Sequence, residues 1–209
     1  MSIGPTITVG KFQAVPVKIH WSFSLVLVMI GYMALAKGFT IWQTCSFGLL
    51  IVAIFIGVIL HELGHAMVAK RYGIETNDII LMPIGGIARL KSLPHDPIKE
   101  IGIAIAGPLV NFAIACSIYL VFRLCGIGWI QPDVDLLSCL NTLIGFMHLL
   151  LIINIASFLI NLIPVLPMDG GRILRALLSL KMERGVANKV TRVVSSLILL
   201  MFALFFLLF

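Results

Sequence analysis

Phe47-Gly48-Leu49-Leu50-Ile51-Val52-Ala53-Ile54-Phe55-Ile56-Gly57-Val58-Ile59-Leu60 carries no charge and runs directly into His61-Glu62-Leu63-Gly64-His65. A stretch of this composition crosses a bilayer, so the two histidines and the glutamate fall at membrane depth. On a helix, residues four apart share a face. Both imidazoles can then reach one zinc ion while the glutamate between them is free to act as a base. In a soluble enzyme the same helix would border a wet cleft. Here the pattern implies hydrolytic chemistry inside a lipid bilayer.

The rest of the chain agrees. Of its 209 residues 60% are hydrophobic and only 11% charged, with a mean hydropathy of +1.12. Soluble domains carry roughly 25% charged residues, so this chain has too little polar surface to cover a water-soluble globule. A soluble zinc protease is excluded on that ground. Cys45, Cys116, Cys125 and Cys139 show no paired spacing, which points to packing residues rather than a disulfide framework or a thiolate zinc site. Met1 to Val17 is mixed in character, with Lys11 and Pro16, and lacks the apolar core of a cleavable signal peptide. Net charge is +6. In a membrane protein such an excess reports orientation rather than nucleic-acid binding.

Five stretches approach the ~20 apolar residues that a spanning helix needs: His20 to Ala36, Phe47 to Ala69, Ile98 to Phe122, Leu136 to Ile163 and Val190 to Phe209. Pro108, early in the third, reads as a bend rather than a break. The expected fold is an all-α polytopic membrane protein of about five transmembrane helices, forming a single core over residues 1–209. Thirteen of the fifteen basic residues fall on one side of this arrangement; Lys37 and Arg123, with Asp133 and Asp135, fall on the other. The positive-inside rule assigns the basic side, with the N-terminus, to the cytoplasm. His61 lies nine residues before Lys70, hence roughly 14 Å below that interface at 1.5 Å per residue.

Two connections are irregular. Ile79 to Leu90 is apolar, too short to span, and broken by Pro83, Gly85 and Gly86; it reads as a membrane-dipping β-hairpin. Asn161 to Arg172 interrupts a helix with Pro164 and Pro167 at membrane depth, where irregular backbone survives only if buried in protein or lining a wet cavity.

A catalytic zinc usually keeps three protein ligands. Six residues beyond His65, where a third histidine often stands, this chain has Arg71. Glu75 and Glu100 sit near the interface and are the weaker candidates. Asp169 follows the broken segment and can return to the depth of His61, where a cation would satisfy a carboxylate that is otherwise costly to bury. Its competing role is to cap the helix beginning at Gly170. Glu62 is read as the general base, with an ion pair to a neighbouring helix as the alternative. Asn161 could hold the substrate carbonyl through its amide or merely satisfy broken backbone. His148, about 20 Å along its helix from Asn161, is expected to make interhelical hydrogen bonds. Asn111 and Asn154 are expected to be helix–helix contacts, and His20 and His95 carry no assigned chemistry.

With these residues in place, the chain resembles the site-2 protease family of intramembrane zinc metalloproteases. The resemblance rests on four elements in order: His61-Glu62-Leu63-Gly64-His65, Pro83-Ile84-Gly85-Gly86, Ala106-Gly107-Pro108-Leu109-Val110-Asn111, and Asn161 through Pro167-Met168-Asp169-Gly170-Gly171-Arg172. It implies His61, His65 and Asp169 as zinc ligands, Glu62 as catalytic base and Asn161 near the substrate. It also implies hydrolysis of peptide bonds within or near transmembrane segments of other membrane proteins, in a prokaryotic cell membrane, with the hairpin binding unwound substrate as an added strand. Relatives of this subtype usually carry a sixth span and often a cytoplasmic nucleotide-sensing domain. The chain stops at Phe209 in apolar sequence, so truncation, with a missing C-terminal domain or regulatory partner, is expected. The rival from another class is a zinc-binding transporter or an inactive homologue. A transporter would show ionisable groups along a path to the far side, whereas the outer halves of these spans are nearly uncharged.

Overall fold

The computed structural model describes residues 4–12, 15–83, 85–92, 94–129 and 136–208. Ile84 of the hairpin motif, Asp133 and Asp135 of the outer loop, and Phe209 lie outside the described residues. The chain enters as two strands, β1 (Thr6–Phe12) and β2 (Val15–His20). A 3-10 turn at Trp21–Phe23 leads into α1 (Ser24–Ala36) and then the long α2 (Ile41–Arg71). A hairpin of β3 (Thr76–Met82) and β4 (Gly85–Leu90) precedes α3 (Pro97–Leu124). Next come the short α4 (Leu136–Leu140), α5 (Leu143–Asn161), α6 (Asp169–Ser179) and α7 (Arg184–Leu208).

Local chemistry sets the helix ends. Thr40 and Gln43 form a reciprocal capping box at the start of α2, through bonds of 3.2 and 2.9 Å. At its other end Gly73 takes the left-handed conformation (φ +75°) that turns the chain toward the sheet. Asp96 caps α3 by accepting the Ile98 N–H at 2.9 Å, with Pro97 in the first turn. Pro108 is accommodated within α3 as expected.

Among the described residues four helices, α2, α3, α5 and α7, are long and apolar enough to cross a membrane; the Trp21–Ala36 segment is apolar but shorter. Apolar side chains such as Leu49, Val52, Leu120 and Leu200 stand exposed on these helices, as in an integral membrane protein.

Three expectations need correction. The fold is mostly helical but not all-α: the hairpin belongs to a four-stranded sheet of order β1-β2-β3-β4, in which β2 and β3 pair in parallel and the outer pairs are antiparallel. The first helix starts at Ser24 rather than His20, because His20 ends β2 and its ring accepts the Ser22 N–H to cap the 3-10 turn. The stretch Leu136 to Ile163 is not one helix. Thr142 adopts an extended backbone (φ −131°, ψ 147°) and its hydroxyl caps a fresh helix by accepting the Gly145 N–H at 3.0 Å.

The sheet packs on α2 through Val17, Leu63, Ile79 and Leu81. Behind it, Asp78 is buried between Lys18 (2.7 Å) and Arg89. The Arg89 guanidinium, and then Lys18, hold the Asp78 carboxyl below its ordinary range although burial opposes this. Glu75 pairs with Lys91 at the exposed rim, which lowers its pKa as well. A second core joins α3 to α5 through Ala115, Ile118, Phe122 and Leu151. The result is a helical frame in which α2, α3 and α6 meet beside the sheet.

Candidate metal centre

His61, Glu62 and His65 all lie in the buried part of α2. Helix α3 approaches this turn unusually closely because small residues meet there. A Cβ on Gly64 would stand 2.8 Å from the Ala106 carbonyl oxygen, and one on Gly107 would stand 2.3 Å from His65 Nε2. This approach supplies the groups that orient both imidazoles. His61 Nδ1 lies 3.1 Å from Asn111 Oδ1, and His65 Nδ1 lies 2.7 Å from the Ile103 carbonyl oxygen. A carbonyl can only accept, so His65 donates from Nδ1. Asn111 Oδ1 assigns the same tautomer to His61. In the neutral rings both Nε2 atoms are then bare lone pairs.

Those lone pairs converge with a third. Asp169 Oδ2 lies 3.2 Å from His61 Nε2 and 3.1 Å from His65 Nε2, and the two nitrogens are 3.1 Å apart. All three residues are buried. Three acceptors pointed at one another repel unless a cation stands among them. Tetrahedral zinc with bonds of about 2.0–2.2 Å holds its ligand atoms roughly 3.3–3.5 Å apart, close to the spacing observed. The donor set, two imidazoles and a carboxylate with room left for water, fits zinc.

Asp169 reaches this point on the broken segment. Met168, not Asp169, occupies the cap position of α6, so the capping alternative does not describe its side chain. The Leu166 N–H, freed by the break, donates to Ser195 Oγ at 2.9 Å, and the Ser195 hydroxyl donates in turn to the Thr191 carbonyl at 2.8 Å. α7 thereby anchors the irregular backbone, as membrane depth requires. Arg172, one turn after Asp169, lies 3.4 Å from Asp169 Oδ1.

Among the described residues Glu62 is not paired with a cation. Its Oε2 accepts the Ala88 N–H of β4 at 2.8 Å. Glu62, His65, Asp169, Arg172 and Pro167 share a cavity of about 230 Å³ with the β4 residues Gly86, Ile87, Ala88 and Leu90. A larger cavity of about 330 Å³ between α3 and α5, lined by Phe112, Ala115, Tyr119 and Phe158 among others, is wholly apolar and brings no acid, base or metal-ligating pair together.

The weaker candidates are placed elsewhere. Glu100 is buried against Arg175 and Arg184, which bond its two carboxylate oxygens. Asn161 is at the end of α5, where its Nδ2 donates to the Ser157 carbonyl at 3.0 Å. It is not among the residues lining the cavity around Glu62. His148 faces the carbonyl of Ile144 in its own helix and that of Gly128 in the connection after α3, and packs against the Phe122 ring. Asn154 donates to the Leu150 carbonyl. Asn111 is the residue whose part at the site a reading of the sequence understates; its signals are an amide inside an apolar span and its place at the end of the Ala106–Asn111 motif.

The family model described as peptidase family M50 matches residues 49–138 and 136–206. A zinc metalloprotease of Methanocaldococcus jannaschii, MJ0392, is 37% identical over 205 residues, covering 95% of this chain and 54% of that protein. Stage IV sporulation protein FB of Bacillus subtilis is 28% identical over 146 residues, covering 66% of this chain and 46% of that protein. The chain thus spans about half the length of these curated relatives. The solved structure of a site-2 protease from Methanocaldococcus jannaschii superimposes with a TM-score of 0.67 at 35% identity, over 98% of this chain and 86% of that one. The chain belongs to peptidase family M50, the site-2 protease family that its four motifs resemble.

Proposed function

We propose that this protein is an intramembrane zinc metalloprotease that hydrolyses peptide bonds within or near transmembrane segments of other membrane proteins. The observation that carries the reading is the convergence of His61 Nε2, His65 Nε2 and Asp169 Oδ2 within 3.2 Å, beside Glu62 and in one cavity with β4. His61, His65 and Asp169 would hold the zinc. When bound, zinc lowers the pKa of a coordinated water toward ~7 and polarises a scissile carbonyl. Glu62, adjacent in sequence to one ligand, takes the proton of the attacking water and passes it to the leaving nitrogen.

Substrate must present an extended backbone, since helical carbonyls are already bonded within the helix. β4 is an edge strand of the sheet. Ala88 turns its N–H away from β3 and toward Glu62, and strand alternation turns the backbone groups of Gly86 and Leu90 the same way. That edge suits an added strand running past the cavity. In this reading residues 1–209 form one transmembrane core, α1 completes five spans, the hairpin dips into the membrane, and the basic side faces the cytoplasm of a prokaryotic cell. Asn161 remains a candidate for contact with substrate.

The test is co-expression with tagged single-span membrane proteins. Glu62→Gln should abolish cleavage while the protein keeps its zinc. Full activity in that variant would end the assignment of the base.

A further inference from the structure

Arg172 stands out among the residues that line the cavity. Among the described residues it is the only Lys or Arg that lines the cavity. A guanidinium offers five N–H donors in a fixed fork. The bond it makes to Asp169 Oδ1 is long, 3.4 Å, and its side chain is 23% exposed. The other carboxylate oxygen, Asp169 Oδ2, is the one that meets both imidazoles. Arg172 therefore sits one carboxylate away from the point where three metal-ligating atoms converge, with donors to spare.

On the protease reading above, attack on the scissile carbonyl builds negative charge on its oxygen. Preorganised donors aimed at developing charge in a water-poor site are often the largest single contribution to catalysis. Asn161, the amide suggested by its motif, uses its Nδ2 on the Ser157 carbonyl and does not line the cavity. We propose that Arg172 is a further catalytic residue, whose guanidinium donates to the scissile carbonyl oxygen as charge builds on it. The bond to Asp169 Oδ1 keeps the fork turned toward that position between turnovers. A single charged donor of this kind accounts for about a hundredfold or more in rate.

The alternative, that Arg172 acts only by steadying Asp169, predicts different behaviour, and one experiment separates the two. The zinc-loaded, detergent-purified protein is titrated with a phosphinic tripeptide, Gly-Leu-phosphinyl-Leu, whose tetrahedral anion mimics the charged carbonyl, and with a matched peptide hydroxamate that chelates zinc without a tetrahedral centre. Zinc content is measured in parallel. Arg172→Met should weaken the phosphinate at least tenfold and the hydroxamate less than threefold, with zinc content unchanged. Arg172→Lys should recover part of the loss, because it keeps the charge but not the fork. Equal loss for both probes, falling zinc content, or no change in either would overturn the assignment while leaving the protease reading in place. Wild-type protein that holds zinc yet binds neither probe would overturn both together.

Discussion

Asn111 Oδ1 lies 3.1 Å from His61 Nδ1 across the α2–α3 crossing, and both side chains are buried. His65 has a main-chain counterpart in the Ile103 carbonyl. One α3 helix thus orients both imidazoles, by an amide at one and a carbonyl at the other. Such partners fix the tautomer and raise the basicity of a metal-ligating histidine.

Asn111→Leu removes the acceptor and lets the His61 ring change tautomer or rotate. Zinc affinity should fall 10–100-fold, read by competition with a chromogenic chelator, while helical content by circular dichroism stays at the wild-type level. Undiminished affinity would show that His61 needs no orienting partner.

Gly107→Ala tests the closeness of the helices. The new Cβ would meet His65 Nε2 at 2.3 Å and His61 Nε2 at 2.7 Å, in the space where the ligand atoms converge. Zinc binding and cleavage should both be lost in a folded protein. Gly48→Ala, on the α2 helix that carries both histidines but with nothing near its Cβ, is the control and should bind zinc normally.

Glu100 joins the start of α3 to Arg175 in α6 and Arg184 at the start of α7. Glu100→Ala would leave a largely buried guanidinium at Arg175 without its carboxylate. Breaking a buried ion pair by removing one partner costs about 3–5 kcal/mol. The melting temperature in detergent should drop accordingly, and Asp169 should lose its anchoring on α6, so zinc affinity falls too. A variant with unchanged melting behaviour would contradict the role given to this cluster.

The Asp78 carboxyl is ionised to lower pH in the folded protein than in the unfolded chain, because Arg89 and Lys18 favour its charge. The stability it contributes is therefore fully present above its unfolded pKa of about 3.9 and is lost as pH falls below that toward the folded pKa. Melting temperature should decline on acidification through this window, and Asp78→Asn should flatten that part of the profile. An identical pH profile in the variant would refute the assignment.

Much of this was legible from residues alone, for reasons that differ by element. The uncharged run into His61 reads as a membrane helix, and Asp169 draws notice because a carboxylate after a broken helix at membrane depth is costly to leave unpaired. The N-terminal strands were not legible. β1 is almost wholly exposed, which erases the in–out alternation that marks a strand, and β2 owes its place to a parallel partner some sixty residues away, with Val17 opposite Ile79. The break at Thr142 was hidden because apolar residues continue on both sides of it. The Ala88 N–H that holds Glu62 is a backbone group, invisible in any reading of side chains. Asn161 stands in a motif, yet its Nδ2 donates to the Ser157 carbonyl.

The central claim, that His61, His65 and Asp169 hold one zinc, is tested most directly by zinc-edge X-ray absorption on the purified protein. The spectrum should show one zinc per chain, a first shell of nitrogen and oxygen at about 2.0–2.2 Å with two imidazole scattering patterns, and loss of that signal in Asp169→Ala. A shell containing sulfur, a single imidazole, or an unaltered spectrum in Asp169→Ala would contradict it.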